Sequence, residues 1–362
     1  MQPSRPVVLL GAGARGASME RVLSWGIPVL TSWQAKDMVD NDHPLYFGSP
    51  GVYGQRCANK VLYHADHILA LGNRLSIWCA GYEGPRPDQR VVMVDVDEAE
   101  VRKFPRAQWV NEDCKAFVAR HEPDICPSEW RDTCIGWRTA YPLGVESGTH
   151  DDANGYINSY RFVDALHKYL RPDEVIVTEM GAALCSAHQV LCLKPPQRLM
   201  TSGGLGEMGC GLPAAVGASF ARYKGRVLCL STDGGMMLNL QELQTIAHHQ
   251  LPVKIIVFNN AGYGMLRQTQ EKASMRLSGV NEESGVSFPN FRWVAHSFGM
   301  TAGEIRTWDD FERIIPAFLS CDGPCLVDYH MDPRQLFVPK LDPIYVDGKG
   351  TSPRFCDMSP LL

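Results

Sequence analysis

The chain has 362 residues, which is enough for about two domains of ordinary size. Hydrophobic residues make up 45% of the sequence and charged residues 21%, as in a globular protein with a buried core. The net charge of −5 gives no electrostatic reason to expect nucleic acid or an anionic membrane as a partner. No apolar run approaches the ~18 residues that a membrane-spanning helix needs, so we expect no membrane partner either.

The cysteines bear on the compartment in which the protein works. The 12 cysteines are scattered along the chain. The closest pair, Cys321 and Cys325, has no second pair and no nearby histidines to complete a zinc site. We therefore expect reduced thiols in a cytoplasmic protein.

The first part of the chain alternates apolar strands with helices, which is typical of a parallel sheet covered on both faces. A strand is predicted at 7–10, followed by the glycine turn Gly11-Ala12-Gly13-Ala14-Arg15-Gly16 and a helix at 18–24. Further elements are expected later in this region, with strands at 28–31, 67–71 and 91–94 and a helix at 98–103. We predict a Rossmann-like domain over residues 1–125.

The rest of the chain is expected to hold a second α/β domain. Residues 126–157 are rich in proline, glycine and acidic residues and are predicted to form a linker. The second domain, residues 158–330, again alternates helices with apolar strands, which predicts another parallel sheet covered by helices. Residues 331–362 contain many prolines and are predicted to form a C-terminal arm.

The most informative part of the second domain is a pair of apolar strands with polar residues at their ends. One strand runs into Asp233 and two glycines, and the next strand ends on Asn260. These residues are 27 positions apart, about one βαβ unit, so parallel strands would bring both to the same edge of the sheet. One carboxylate, one amide oxygen and loop carbonyls around Gly262 form the oxygen set that Mg²⁺ prefers beside a phosphate. The alternative is an ordinary buried βαβ unit with polar strand ends.

This stretch resembles the cofactor-binding signature of thiamine diphosphate-dependent enzymes, a Gly-Asp-Gly followed at similar distance by Asn-Asn. The resemblance implies that Asp233, Asn260 and the backbone of Gly262 hold Mg²⁺ against the diphosphate. The sequence departs from the signature at Thr232, which stands where the family usually has its first glycine and is expected to reshape the turn slightly.

A second segment, GLGEMGCGLPAA, resembles the corresponding segment of acetolactate synthases and their relatives. In that family the methionine, here Met208, lies under the thiazolium ring and bends the cofactor into a V shape; the alternative is a methionine that fills the core. The segment after Asn-Asn resembles the border of the substrate pocket, which implies a role there for Gln268. Thr269 stands where several acetolactate synthases have tryptophan, so the acceptor substrate stays open. The cofactor-binding residues implied by the resemblance are Gly181, Gly206, Met208, Asp233, Gly234, Gly235, Asn260, Gly262, Tyr263 and Gly264.

The first domain resembles the central domain of the same family, in which acetolactate synthases bind FAD while many relatives bind nothing. A glycine turn after a strand can hold a pyrophosphate at a helix N-terminus. The resemblance implies FAD contacts at Gly11, Gly13, Arg15, Arg74 and Asp95. Both alternatives, FAD or an empty domain, stay open.

The family activates its cofactor with a glutamate on a pyrimidine-binding domain, which usually precedes the central domain and has no counterpart in these 362 residues. We therefore expect that domain to come from another chain, with a homo-oligomer as a further expectation; the alternative is that these residues are a fragment of a longer protein. The resemblance implies an enzyme that decarboxylates pyruvate or a similar 2-oxo acid and joins the acyl carbanion to a second carbonyl. The alternatives are a simple 2-oxo acid decarboxylase and a noncatalytic, cofactor-binding regulatory subunit.

Overall fold

The computed structural model describes residues 4–123, 125–223, 225–346 and 349–361. The chain divides into two compact units. The first comprises Met1–Glu146, Cys192–Pro195 and Val338–Leu362, and the second comprises Ser147–Leu191 and Pro196–Phe337. Each unit is built on one parallel sheet accompanied by helices, which confirms the predicted α/β class with two parallel-sheet domains.

In the described residues, the first unit is built on five parallel strands with six α-helices. The strands are β1 (Pro6–Leu10), β2 (Val29–Thr31), β3 (His67–Leu71), β4 (Arg90–Val94) and β5 (Gln108–Val110), in the sheet order β2-β1-β3-β4-β5. The helices are α1 (Met19–Ser24), α2 (Arg56–His64), α3 (Ile77–Ala80), α4 (Glu98–Val101), α5 (Cys114–Arg120) and α6 (Ser128–Ala140). Every residue of β1 is buried, as expected for a central parallel strand covered on both faces.

The second unit, where the structure describes it, is built on six parallel strands with eight α-helices. The helices are α7 (Ser159–Leu166), α8 (Ala182–Val190), α9 (Gly211–Ala221), α10 (Asp233–Leu238), α11 (Glu242–His248), α12 (Gly264–Lys272), α13 (Phe291–Ser297) and α14 (Trp308–Ser320). The strands are β6 (Val175–Thr178), β7 (Arg198–Thr201), β8 (Val227–Thr232), β9 (Val253–Asn259), β10 (Thr301–Ile305) and β11 (Cys325–His330). Across the described residues, no helix has the length and apolar character needed to cross a membrane.

The strand order of the second sheet, β10-β11-β9-β8-β6-β7, creates one point at which the order reverses. From β6 the chain moves outward to β7, whereas from β8 it moves in the opposite direction to β9. The loops that follow β6 and β8 therefore diverge and leave a crevice at the carboxyl ends of the strands. Ligands of open α/β sheets bind at such a switch point.

Two segments that the sequence predicts as connecting chain contain regular structure. Residues 126–157, predicted as a linker, contain α6, whose Trp130 and Cys134 are buried in the core of the first unit. Trp130 and Cys134 are four residues apart, so they lie on one face of the helix. The prolines and acidic residues around this helix are typical of loops, and for this reason the sequence predicted a linker. Residues 331–362, predicted as an arm, are divided between the two units at Phe337 and carry the antiparallel strands β12 (Ile344–Val346) and β13 (Lys349–Thr351).

Candidate functional site

A cavity lies at the switch point of the second sheet, where the loops after β6, β8 and β9 meet. The loop after β6 contributes Met180 and Gly181, and β8 and α10 contribute Thr232 and Asp233 at their junction. Most of the other lining groups are apolar. The cavity is lined by Met180, Gly181, Ala182, Gly206, Met208, Thr232, Asp233, Phe258, Asn260, Gly262, Tyr263, Gly264, Met265, Leu266 and Phe337.

Asp233, the first residue of α10, provides the negative charge of this cavity. The carboxylate is 2% exposed and accepts hydrogen bonds from the backbone N–H groups of Asn260 (3.1 Å), Gly262 (3.0 Å) and Gly234 (2.7 Å). A carboxylate offers about four lone-pair positions, so these three donors leave one free for a ligand. The hydrogen bonds to Asn260 and Gly262 also join the loop after β9 to the start of α10. Asp233 and Asn260, which the sequence predicts at one edge of the sheet, are therefore in contact.

Asn260 has the unsatisfied polar atom that the predicted metal site requires. Its side-chain oxygen Oδ1 is buried and has no hydrogen-bond partner. Such a group costs free energy unless something in the cavity pairs with it. A buried amide oxygen beside a carboxylate with one free lone-pair position fits a hard divalent cation. Within the described ranges no group of three or more His, Cys, Asp or Glu residues could hold a metal, so the fit rests on one carboxylate with amide and backbone oxygens.

Glu179 is a site residue that the sequence interpretation missed. It follows β6, is 1% exposed, and accepts hydrogen bonds from the backbone N–H groups of Gly209 (3.0 Å) and Gly211 (2.9 Å). The same carboxylate accepts from Met180 N at 3.0 Å. It therefore holds the glycine-rich loop that carries Met208, whose side chain lines the cavity and is 36% exposed. An acidic residue directly after a buried strand, as at Asp233, is the signal that could have identified it.

The remaining sequence-predicted residues lie behind the cavity wall. A Cβ on Gly234 would lie 2.2 Å from the ring of Tyr263, so glycine is required for this close approach. Gly235 packs in the same way against Glu179. Gln268 is buried and accepts a hydrogen bond from Phe337 N at 3.0 Å, so it supports a lining residue, and its contact with substrate stays a prediction.

Thr232, the departure from the family signature, is accommodated without backbone strain. Its φ and ψ are −128° and 159°, an extended conformation open to any residue, and its hydroxyl accepts from Gly235 N at 3.2 Å as the N-cap of α10. We expect Thr232→Ala to lower the free energy of unfolding by about 1 kcal/mol because the cap is lost. Thr232→Ser keeps the cap and serves as the control. Equal denaturant midpoints for all three proteins would contradict the capping role.

The protonation of Asp233 predicts how ligand binding depends on pH. Burial raises the pKa of Asp233 from 3.8 to about 7, against the lowering effect of its three backbone hydrogen bonds. Without a cation, the folded protein thus holds this proton more tightly than the unfolded chain, so the contribution of Asp233 to stability falls between about pH 4 and about pH 7. A bound cation favours the anion, so Mg²⁺ affinity should rise with pH and level off above about pH 7.

This pH dependence is measurable as the shift in melting temperature that Mg²⁺ and thiamine diphosphate produce, recorded between about pH 5 and about pH 8. We expect the shift to grow with pH in the unaltered protein. A shift that is constant across the range would contradict the titration of Asp233 in the site.

The glycine turn of the first unit has a packing explanation within the protein itself. A Cβ on Gly11 would lie 2.0 Å from the carbonyl oxygen of Gly72, and a Cβ on Gly13 would lie 2.9 Å from the Cα of Gly72. Both glycines are thus needed for the close approach of the turns that follow β1 and β3. The other residues of the predicted flavin set lie in different settings: Arg15 pairs with Asp37 at 2.7 Å, Arg74 is mainly exposed, and Asp95 accepts from Asp97 N at 2.9 Å.

Comparison with known proteins agrees with this two-domain architecture. The family model described as "Thiamine pyrophosphate enzyme, C-terminal TPP binding domain" matches residues 179–329, which contain the cavity. The model "Thiamine pyrophosphate enzyme, central domain" matches residues 2–120. The chain therefore belongs to the thiamine diphosphate-dependent enzyme family.

The similar proteins within this family are acetolactate synthases. The chain is 29% identical over 347 residues to "Acetolactate synthase isozyme 1 large subunit" of Escherichia coli, which covers 94% of this chain and 60% of that protein. It is 30% identical over 386 residues to "Probable acetolactate synthase large subunit" of Methanocaldococcus jannaschii, covering 99% and 64%. The chain thus spans less than two thirds of the length of these curated relatives.

Proposed function

We propose that the cavity of the second unit binds thiamine diphosphate with Mg²⁺, and that Asp233, the Asn260 side chain and the Gly262 backbone hold the cation. The observation that carries this proposal is the buried Oδ1 of Asn260, which has no protein partner. The same residue donates its backbone N–H to the Asp233 carboxylate, which keeps one lone-pair position free and lines the same cavity. The match of the thiamine pyrophosphate-binding family model to residues 179–329 supports the same ligand.

The walls of the cavity suit the part of the cofactor away from the diphosphate. Met208, Leu266 and Phe337 present apolar surface there, which keeps water from the reacting groups and strengthens electrostatic interactions. When bound, thiamine diphosphate supplies a nucleophilic carbon for attack on a 2-oxo acid and accepts the electrons released by decarboxylation. Within this arrangement we assign Met208 to support of the thiazolium ring.

The surface around the cavity supports the participation of a further domain. Large apolar side chains on the segments that line the cavity are exposed: Leu205, Met208, Met237, Leu238 and Leu266. Exposed apolar patches of this kind mark protein interaction sites. We propose that a pyrimidine-binding domain outside these 362 residues covers them and supplies the activating glutamate, either from a separate subunit or from another part of a longer protein. A homo-oligomeric assembly is a separate part of this proposal.

The assembled enzyme is proposed to decarboxylate pyruvate and join the acyl unit to a second carbonyl, which would give acetolactate, the product in the name of the similar proteins. The test mixes the chain with a pyrimidine-binding domain, pyruvate, Mg²⁺ and thiamine diphosphate, and measures acetolactate. We expect acetolactate to form only in the complete mixture. Acetaldehyde alone would favour a decarboxylase, and cofactor binding without turnover would favour a noncatalytic subunit.

FAD in the first unit is a separate part of the proposal. The packing of Gly11 and Gly13 against Gly72 accounts for the glycine turn without a flavin, so the turn supports neither alternative. Flavin absorbance of the purified protein, released on heat denaturation, would establish the bound form. A colourless protein that acquires no flavin when incubated with FAD would remove it from the proposal.

A cytoplasmic location is part of the same proposal. All 12 cysteines are free in the structure, and eight of them, including Cys57, Cys134 and Cys229, lie in the buried interior. Free thiols in this number are typical of proteins that work in a reducing compartment.

A further inference from the structure

A second cluster of reactive groups lies at the opposite end of the sheet that carries the cavity. Lys254 lies near the start of β9 and is directly paired in register with Cys325 at the start of β11. Cys321 follows α14 as its C-cap residue. The cluster lies at the amino-terminal ends of the strands, whereas Asp233 and Asn260 lie at the carboxyl ends. Six residues of extended strand separate Lys254 from Asn260, about 20 Å.

Lys254 is a buried lysine whose ammonium group faces sulfur atoms. Its side chain is 0% exposed. The Nζ atom donates to the carbonyl oxygens of Cys321, at 2.6 Å, and Gly323. It also lies 3.0 Å from the Sγ of Cys321 and 3.4 Å from the Sγ of Cys325. A buried cation needs compensating partners, and here two of the four are thiols.

The two thiols are in contact and differ in accessibility. Their Sγ atoms are 2.6 Å apart, so the side chains already point at each other. Cys321 is half-buried, whereas Cys325 is 2% exposed, and burial raises the pKa of Cys325 to about 12. A small oxidant would therefore reach Cys321 first, and Cys325 is placed to react second. A cation beside a partly exposed cysteine is the setting in which thiolates react.

We propose that Cys321 and Cys325 are a redox-active dithiol that a hydroperoxide converts reversibly into an intrachain disulfide, with Lys254 stabilising the reacting sulfur. The Cys321 thiolate attacks the peroxide, the O–O bond breaks, and the leaving oxygen takes up a proton, which gives a sulfenic acid. The Cys325 sulfur then attacks the Cys321 sulfur, the S–O bond breaks, and the hydroxide leaves as water with the Cys325 proton. Two thiols lose two electrons in total, and hydrogen peroxide becomes two water molecules.

The test exposes the intact chain to hydrogen peroxide and labels the remaining thiols with isotopically distinct iodoacetamides before mass spectrometry. We expect Cys321 and Cys325 to lose reactivity together, roughly tenfold faster than Cys192 and Cys356, which are also half-buried. The peptide that joins them should be lighter by two hydrogen atoms, and dithiothreitol should restore both thiols. Independent loss of the two thiols, loss no faster than in the control cysteines, or pairing with another molecule would overturn the proposal.

Two variants separate the roles of the cluster. In Cys325→Ser the second step is blocked, so Cys321 should accumulate as a sulfenic acid that dimedone captures. Lys254→Met should slow oxidation of Cys321 by roughly tenfold, provided its melting curve shows a folded protein. If Lys254→Met does not fold, Cys325→Ser still tests the proposal. Absence of the dimedone adduct on Cys321 in the Cys325→Ser protein would contradict it.

Discussion

Asp233→Asn is expected to weaken the Mg²⁺-dependent binding of thiamine diphosphate by more than about 100-fold. Loss of a partner outside the first coordination sphere already costs up to about 100-fold in metal affinity, and loss of a direct ligand should cost more. The amide keeps the size of the side chain but removes the charge that a cation needs. In the unaltered protein the carboxylate accepts hydrogen bonds from the backbone N–H groups of Asn260 and Gly234. The asparagine NH₂ group would face one of these N–H groups, and two donors cannot form a hydrogen bond with each other. Calorimetric titration of the cofactor with and without Mg²⁺ measures the effect.

Asp328→Asn is the matched control for this experiment. Asp328 is also a buried carboxyl near the carboxyl edge of the same sheet, and it accepts from Asn259 Nδ2 at 2.9 Å. It does not line the cavity, and asparagine can still accept this hydrogen bond. We expect near-normal cofactor affinity. Equal affinities of the Asp233 and Asp328 variants would contradict the assignment of Asp233 to the metal.

Glu179→Ala is expected to lower the free energy of unfolding of the second unit by about 3 kcal/mol. The substitution removes the acceptor for the buried N–H groups of Gly209 and Gly211, and each buried donor without a partner costs about 1–3 kcal/mol. For a unit of this size the melting temperature should fall by about 10 °C. Because the same loop carries Met208, cofactor affinity measured well below the melting temperature should fall as well.

Two comparisons distinguish a positioning role from general damage. Glu179→Gln keeps one acceptor oxygen and should lose roughly half as much stability. Glu283→Ala, at an exposed glutamate of the same unit, should change stability by less than about 0.5 kcal/mol. If the Glu179→Ala protein had the same melting temperature and the same cofactor affinity as the unaltered chain, the role of Glu179 in positioning the loop would be contradicted.

Several strands, and the meeting of Asp233 with Asn260, were predictable because their signals are local. A run of apolar residues placed β3 at its observed bounds, His67–Leu71. The βαβ spacing then placed Asp233 and Asn260 at one edge, and the structure joins them by a hydrogen bond.

The missed features depend on contacts between residues that are distant in sequence. Glu179 acts on backbone groups about thirty residues further along the chain, and such contacts leave no periodic pattern. Phe337 reaches the cavity from a proline-rich stretch and is held by Gln268, 69 positions before it. The Lys254 cluster was missed for the same reason, since register between β9 and β11 brings the lysine to Cys325.

The most direct test of the thiamine diphosphate site is a crystal structure of the chain with the cofactor and Mn²⁺ in place of Mg²⁺. Anomalous scattering should place one metal ion about 2.1–2.2 Å from a carboxylate oxygen of Asp233 and from Oδ1 of Asn260, with the diphosphate beside it. A metal ion elsewhere, or a cofactor bound with Asn260 Oδ1 still unpaired, would contradict the account.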